Sequence, residues 1–185
     1  MTKANVLLLI NIVLFQCAWF SLVLGYTTLG MCITLGLFIH TALTSTQASK
    51  ELLFCLLVVM FGVLADSILL QFDVYAFTAS FDVNLGKDII PLWLVALWLA
   101  FSLTLNRSLK WLVNMPWLLV IMMAVFGPLS YFAGSQLNPN QIRINQELLA
   151  VCVIQWAVIG FIIWGLYTCL LKEHDTASLS GEKHV

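Results

Sequence analysis

Long apolar runs separated by short polar breaks dominate the pattern of hydrophobic and polar positions in this chain. Six of these runs approach the length of about 20 residues that an α-helix needs to cross about 30 Å of hydrocarbon. They cover 5–25, 27–44, 51–72, 90–106, 116–136 and 148–171. The pattern predicts an all-α integral membrane protein with one domain over 1–171, a six-transmembrane-helix bundle. The polar residues 172–185 are predicted to form a disordered cytoplasmic tail.

Basic residues in the connections predict how the bundle is oriented. With six spans, both termini, the turn near 45–50 and the loop 107–115 share one side of the membrane. That side carries Lys3, Lys50, Arg107, Lys110, Lys172 and Lys183, whereas the other side carries Lys87 and Arg143. Because short cytoplasmic loops are enriched in Lys and Arg, we expect both termini in the cytoplasm.

Composition supports the membrane class and excludes some partners. The 185 residues are 62% hydrophobic and 9% charged, whereas soluble domains carry about 25% charged residues. The net charge of −1 and the lack of a basic stripe argue against a nucleic-acid partner. His, Cys and carboxylate residues do not cluster at one depth, so we expect no metal site and no cofactor.

One polar segment, "DVYAFTASFDV" at 73–83, alternates between apolar and polar positions. A period of two is typical of an extended strand. The segment is predicted to form a short outer aromatic loop between helices three and four, as a hairpin or a flat lid. Anchoring of the aromatic rings among lipid headgroups is the alternative role.

Asp66, in "GVLADSILLQF", is an acidic residue within an apolar run. A charged Asp near the middle of a span costs about 2.5–3.5 kcal/mol, so its side chain must face the bundle interior. Gly62 lies on the same helical stripe and would let a neighbour approach closely. Gln16, Tyr131 and Gln155 lie at similar depth and are the predicted partners. A proton-handling role and a purely structural hydrogen bond both remain open.

Two further polar groups are candidates. Gly127, Pro128 and Tyr131 in "FGPLSYFAGS" are predicted to form either the kinked wall of a polar pocket or a close helix contact. Near the cytoplasmic side, His40 and Glu51 flank the turn after the second span. A contact between them is expected, as a structural hydrogen bond or as a second proton-handling pair.

The chain is rich in tryptophan, with seven in all. Tryptophans deep in a span need a partner for the indole N–H, and they pack well against flat apolar ligands. Core packing is the alternative. The candidate catalytic residues are therefore Asp66, His40 and Glu51, and the candidate ligand-binding residues are Gln16, Trp19, Trp93, Trp98, Tyr131 and Gln155.

An ordered series of motifs gives a resemblance to a known family. "NIVLFQCAWF", "GVLADS", "PLWLVALWLAFSLTLNRSLKWL" and "FGPLSYFAG" resemble a bacterial family of small inner-membrane proteins, domain of unknown function 2878. The resemblance covers about 5–137. It implies a multi-pass protein of the bacterial inner (cytoplasmic) membrane. Genes of this family tend to lie near those for cyclopropane-type fatty-acyl methyltransferases and flavin-dependent oxidoreductases, which implies a role in modifying membrane lipids or in responding to lipid oxidation.

Three functions follow as hypotheses. The first is a protein that binds, or helps to modify, a lipid or another apolar small molecule in an intramembrane pocket. The second is a substrate-binding or transport subunit, whose partner would dock on the small residues Ala18, Ser21 and Gly25. The third is a non-catalytic scaffold for lipid-modifying enzymes. The expected partners are membrane lipid and a membrane or peripheral enzyme, and whether the chain itself is an enzyme is left open.

Overall fold

The computed structural model describes residues 3–45, 47–77 and 89–172. These residues form helices α1 Lys3–Val23, α2 Thr27–Thr44, α3 Ala48–Gln71, α4 Leu92–Leu105, α5 Lys110–Val113, α6 Pro116–Leu137 and α7 Leu149–Leu170, and strands β1 Tyr75–Phe77 and β2 Ile142–Ile144. A 3-10 turn, Gln146–Leu148, leads into α7. Five of the described helices, α1, α2, α3, α6 and α7, are long and apolar enough to cross a membrane. The expected helical membrane bundle is therefore present.

The fourth predicted span is shorter than its apolar run. Helix α4 has 14 residues, a length of about 21 Å. Pro91 is extended (φ −66°, ψ 154°) directly before it, which leaves the preceding isoleucines outside the helix. The Ile90 N–H donates to Ser67 Oγ over 3.3 Å at one end. At the other end the Arg107 guanidinium lies 3.5 Å from the Glu51 carboxylate, so α4 runs antiparallel along α3.

Helix α4 lies at the centre of the packing. It contacts α1, α2 and α3, while α6 packs mainly on α7 and α3 also contacts α7. Trp93, Leu94 and Trp98 of α4 are at most 3% exposed. The outer faces of other helices carry exposed apolar side chains such as Leu9 and Ile154. Extensive apolar surface of this kind fits a bundle surrounded by lipid.

A small antiparallel sheet joins two connections of the bundle. Tyr75 pairs with Ile144 and Phe77 pairs with Ile142. The alternating segment is thus a strand at 75–77, and within the described residues its partner comes from the connection between α6 and α7. The rest of the predicted outer loop, 78–88, and the predicted tail from 173 onward lie outside the described residues.

The connection between α6 and α7 also caps α1. Gln141 Nε2 donates to the Leu22 carbonyl over 2.7 Å, and Asn138 Nδ2 donates to the Val23 carbonyl over 3.0 Å. The last carbonyls of a helix have no α-helical partner. Asn138 satisfies the Val23 carbonyl, and Gln141 adds a second bond to the Leu22 carbonyl, which also accepts from the Gly25 N–H over 3.3 Å. Gly25, with φ of 90°, then turns the chain into α2.

Candidate functional site

The Asp66 carboxylate is held by side chains from three other helices. Its side chain is 0% exposed. Trp98 Nε1 donates to Oδ2 over 2.7 Å, and the Tyr131 hydroxyl donates to the same oxygen over 2.5 Å. Gln155 Nε2 donates to Oδ1 over 2.7 Å. We call these four residues the Asp66 cage; it joins α3, α4, α6 and α7 at one point.

A fifth residue orients the cage. The Tyr75 hydroxyl donates to Gln155 Oε1 over 3.0 Å. With its oxygen engaged in this way, the Gln155 amide presents its NH₂ group to Asp66. Burial, and after it the negative charge of Asp66, raises the pKa of Tyr75 well above its ordinary value, so the phenol remains a neutral donor. The Tyr75 and Tyr131 rings stack with centroids 4.6 Å apart.

The chemistry of the cage suits a carboxylate anion. All three groups that contact Asp66 are donors, and among the described residues no lysine or arginine pairs with it. Hydrogen bonds to an ionised group are stronger than those between neutral groups. The cage therefore provides three directed dipoles where a counter-ion would otherwise stand.

Two glycines make room for the tryptophans beside the cage. A Cβ atom at Gly62 would lie 2.3 Å from the Trp98 indole, and one at Gly127 would lie 2.0 Å from the Trp156 indole. The two indoles stack with centroids 5.1 Å apart and planes 15° apart. Gly62, which was predicted to share a helical stripe with Asp66, thus accommodates the Trp98 indole ring. The Trp98 N–H in turn donates to the Asp66 carboxylate.

These rings form the wall of a cavity of about 370 Å³, which we call the Trp98 cavity. Its lining comprises Phe15, Gln16 and Trp19 of α1; Leu94, Leu97, Trp98 and Phe101 of α4; Met122, Met123, Phe126, Gly127, Leu129, Ser130, Tyr131 and Ala133 of α6; and Trp156 of α7. The wall is mainly apolar and aromatic. The Ser130 hydroxyl is bonded within α6, to the Gly127 carbonyl over 2.7 Å, which leaves Gln16 as the main polar group. Asp66 lies behind Trp98 and Tyr131.

The predicted partners of Asp66 are largely present. Tyr131 and Gln155 both contact the carboxylate, whereas Gln16 lies on the cavity wall and not in the cage. Trp98 also donates to Asp66; the sequence indicated that its indole N–H needs a partner but did not predict that Asp66 is the partner. The segment around Tyr131 does form a cavity wall, but α6 is helical through Pro128 and the cavity is mainly apolar.

The predicted ligand-binding residues divide into two groups. Gln16, Trp19, Trp98 and Tyr131 line the Trp98 cavity. Gln155 belongs to the cage, while Trp93 is 1% exposed and packs edge-on against Phe77 with centroids 6.0 Å apart. Trp93 therefore belongs to the protein core.

Sequence reasoning missed Trp156 as a wall residue. Its position next to Gln155 gave no sign that it lines a cavity. The available signal was Gly127, a helix-interior glycine, because such a residue marks the place where a bulky neighbour approaches a helix closely.

The expected contact between His40 and Glu51 is wrong. Glu51 faces Arg107 Nη2 at 3.5 Å, and His40 is exposed. The buried stripe of α2 includes Thr34, Leu37 and Thr41, and His40 lies one position off this stripe. Arg107, directly after the end of α4, offers Glu51 an opposite charge.

Comparison with known proteins gives one match. Neither the curated proteins nor the solved structures include a match to this chain. Residues 8–162 match a family model, and this range contains the whole Asp66 cage and the lining of the Trp98 cavity. The match covers more than half of the chain. The protein therefore belongs to the family described as "Protein of unknown function (DUF2878)".

Proposed function

We propose that this chain is a six-span protein of the bacterial inner membrane that binds an acyl chain, or a similar apolar small molecule, in the Trp98 cavity. In this role it helps membrane or peripheral enzymes to handle or modify lipids. One observation carries the proposal: a cavity of about 370 Å³ with an aromatic wall, backed by a fully buried carboxylate that holds two of the wall residues.

The contacts at the ends of the helices support six spans with α4 as a short fourth. Arg107 and Glu51 meet at one end of the bundle. The Tyr167 hydroxyl near the end of α7 donates to Asn114 Oδ1 over 3.3 Å, which brings the end of α7 to the connection between α4 and α6. The connections that carry Lys50, Arg107 and Lys110 then share a side, and this favours cytoplasmic termini.

The cavity wall favours an apolar ligand with a flat or unsaturated part. Its volume falls within the range of about 300–1,000 Å³ typical of small-molecule sites, which are mostly apolar with a few placed polar groups. Trp98 and Trp156 stack on each other, and with Phe15 and Trp19 they make a wall rich in aromatic rings, against which a flat group packs well. Gln16 supplies the polar contact, so a ligand with one polar function near its end fits best.

Asp66 acts in this proposal as a positioning residue. A general acid or base must come within about 2.6–3.2 Å of the reacting group, directly or through one water molecule. The Asp66 side chain is 0% exposed, and its oxygens accept bonds from three protein donors. It holds the Trp98 and Tyr131 rings in place, and any lipid chemistry belongs to a partner enzyme.

The transport hypothesis has weaker support. It relied on a small-residue face of α1 on which a partner would dock. Ala18 is 0% exposed and Ser21 is 8% exposed within this chain, so much of that face is already covered. We therefore keep ligand binding in the Trp98 cavity as the proposed function.

A filled-cavity variant tests the proposal. Ala133 lines the cavity, and Ala124, on the same helix and also partly buried, does not. We expect wild type and Ala124→Phe, purified in mild detergent, to retain an apolar molecule that lipid mass spectrometry detects, and Ala133→Phe to lose it. Retention of the same molecule by Ala133→Phe, or its absence from wild type, would contradict the proposal. Lipid profiles of a deletion strain then link the ligand to a pathway.

A further inference from the structure

A second cavity lies on the other side of α4. It measures about 530 Å³ and is formed by α2, α3 and α4; we call it the Thr34 cavity. Leu92, Val95, Ala96 and Leu99 line it from α4, whereas other residues of α4 face the Trp98 cavity. Apart from Thr34 and Cys55 its lining is hydrophobic, so it suits a hydrocarbon chain.

A group of polar residues lies where these same helices end. We define the Arg107 cluster as Thr41, Gln47, Glu51, Asn106 and Arg107. Arg107 Nη2 donates to the Thr41 carbonyl over 3.4 Å and to Glu51 Oε2 over 3.5 Å. The Glu51 N–H donates to the Gln47 carbonyl over 3.0 Å. The cluster thus connects the end of α2, the start of α3 and the end of α4.

Four buried atoms of this cluster have no hydrogen-bond partner in the described part of the chain. They are Thr41 Oγ1, Gln47 Oε1, Asn106 Oδ1 and Arg107 Nε. Thr41 is only 3% exposed. Buried polar groups in native proteins are bonded to protein, water or a ligand. Two amide oxygens of the cluster thus lack donors and one Arg N–H lacks an acceptor, so a ligand that satisfies them all must carry both kinds of group.

The Arg107 cluster continues the stripes of residues that line the Thr34 cavity. On α2, Thr34 and Thr41 are seven residues apart and share a face. On α3, Glu51 and the cavity-lining Cys55 are four residues apart and share a face. Asn106 follows seven residues after a cavity-lining leucine of α4. None of the five cluster residues lines the cavity itself, so it is these shared helix faces that place the polar cluster beyond the apolar cleft. Together the two have the form of an amphiphile.

We propose that the Arg107 cluster and the Thr34 cavity together bind a phospholipid whose headgroup carries a phosphate and a primary ammonium, as phosphatidylethanolamine does. The phosphate accepts from Arg107 Nε and the Thr41 hydroxyl. The ammonium donates its N–H groups to Glu51, Gln47 Oε1 and Asn106 Oδ1. One acyl chain occupies the cavity.

The charges and donors select this headgroup over others. The cluster contains one cation and one anion, Arg107 and Glu51, and it therefore matches a zwitterion. A quaternary ammonium has no N–H group to give to the amide oxygens. A glycerol headgroup also has hydroxyl donors. It carries no positive charge, however, so nothing in it offsets the negative charges of its own phosphate and of Glu51. The site is separate from the Trp98 cavity and does not depend on the function proposed for it.

The test compares three lipids with matched acyl chains, phosphatidylethanolamine, phosphatidylcholine and phosphatidylglycerol, by native mass spectrometry on the full chain. We expect phosphatidylethanolamine to bind about tenfold more tightly, as for one to two hydrogen bonds to charged groups. Equal affinities would mean that water fills the cluster, and a preference for phosphatidylglycerol would exclude the ammonium. Either result would overturn the proposal.

Two threonines of α2 give a matched pair of variants. Thr34 and Thr41 are both 3% exposed, but the Thr34 hydroxyl is already bonded to the Gly30 carbonyl over 2.9 Å. Thr41→Val should weaken the binding of all three lipids, because each carries the phosphate that accepts from Thr41, and Thr34→Val should bind them as wild type does. Unchanged affinities in Thr41→Val would contradict the proposed phosphate contact. Asn106→Ala removes a contact of the ammonium and should lose most of the preference for phosphatidylethanolamine; an unchanged preference would contradict the proposed ammonium contact.

A third variant tests the apolar part of the site. Ala96→Phe places a ring in the Thr34 cavity and should reduce binding of all three lipids, since it removes space for the chain and leaves the cluster intact. Size-exclusion chromatography and thermal unfolding identify variants that have not folded. Wild-type binding by a folded Ala96→Phe would show that the cavity does not hold the chain.

Discussion

Trp98 Nε1 lies 2.7 Å from Asp66 Oδ2, between two helices in the interior of a membrane bundle. This bond exists because Gly62, one helical turn before Asp66, leaves room for the indole ring. Together they explain how the chain can keep a carboxylate in an apolar run. The acid organises the aromatic wall of a cavity, and three predictions follow from how it does so.

Replacing Asp66 with Asn should destabilise the fold. The amide has the size of the carboxylate, but an NH₂ donor replaces one of the two acceptor oxygens. That donor then faces other donors, either Gln155 Nε2 or the pair formed by Trp98 and Tyr131. Leaving a buried donor without a partner costs about 1–3 kcal/mol. The measurement is the midpoint of thermal unfolding, followed by tryptophan fluorescence in detergent.

Asp73→Asn is the control for that change. Asp73 is exposed at the end of α3 and has a φ of 55°, a conformation that Asn also tolerates well. Its unfolding midpoint should match wild type. Equal midpoints for Asp66→Asn and wild type would mean that the cage contributes nothing to stability.

Gly62→Ala should disturb the Trp98 indole. The added methyl would lie 2.3 Å from the ring, so the ring or the helix must move, and overpacking of this kind costs about 1–3 kcal/mol. Gly36→Ala is the control, because a Cβ there meets no atom within 4 Å. An alanine should stabilise that helix slightly. We expect the two variants to shift the unfolding midpoint in opposite directions. Shifts of equal sign and size would contradict the close packing of Trp98 against Gly62.

Tyr75→Phe tests the orientation of Gln155. Without the phenol, Gln155 Oε1 loses its donor and the amide is free to rotate away from Asp66. We expect a loss of about 1–3 kcal/mol, and we expect it to be smaller when Asp66 is already Asn, since the two residues act through one amide. A double-mutant cycle on unfolding free energies measures this coupling. Strict additivity would show that Tyr75 does not act through the cage.

His40→Ala should leave both unfolding and ligand retention unchanged, because the imidazole is exposed and takes no part in the cage or in the Glu51 contact. Glu51→Gln should lower stability by no more than about 1 kcal/mol, since the pair with Arg107 is partly exposed and long. A large effect of His40→Ala in the same assay would restore the role that the sequence suggested for it.

Some features of this protein can be predicted from sequence because each depends on one segment at a time. An apolar run of about 20 residues must be buried in lipid or in protein, and its helical form satisfies every backbone group without a partner. The same reasoning requires Asp66 to face inward and to find polar partners at its own depth, and Tyr131 and Gln155 were found in this way.

Tertiary structure alone decided which surfaces meet. Helical periodicity assigns a residue to a face, but it does not say which neighbour covers that face or how far the neighbour is shifted along its axis. These depend on the packing of all side chains together. Trp156 on the cavity wall, Ile144 as the strand partner of Tyr75, and Arg107 in place of His40 beside Glu51 are outcomes of this kind. The sequence by itself therefore determined a membrane bundle with a buried acid, and only packing determined that the acid supports a cavity.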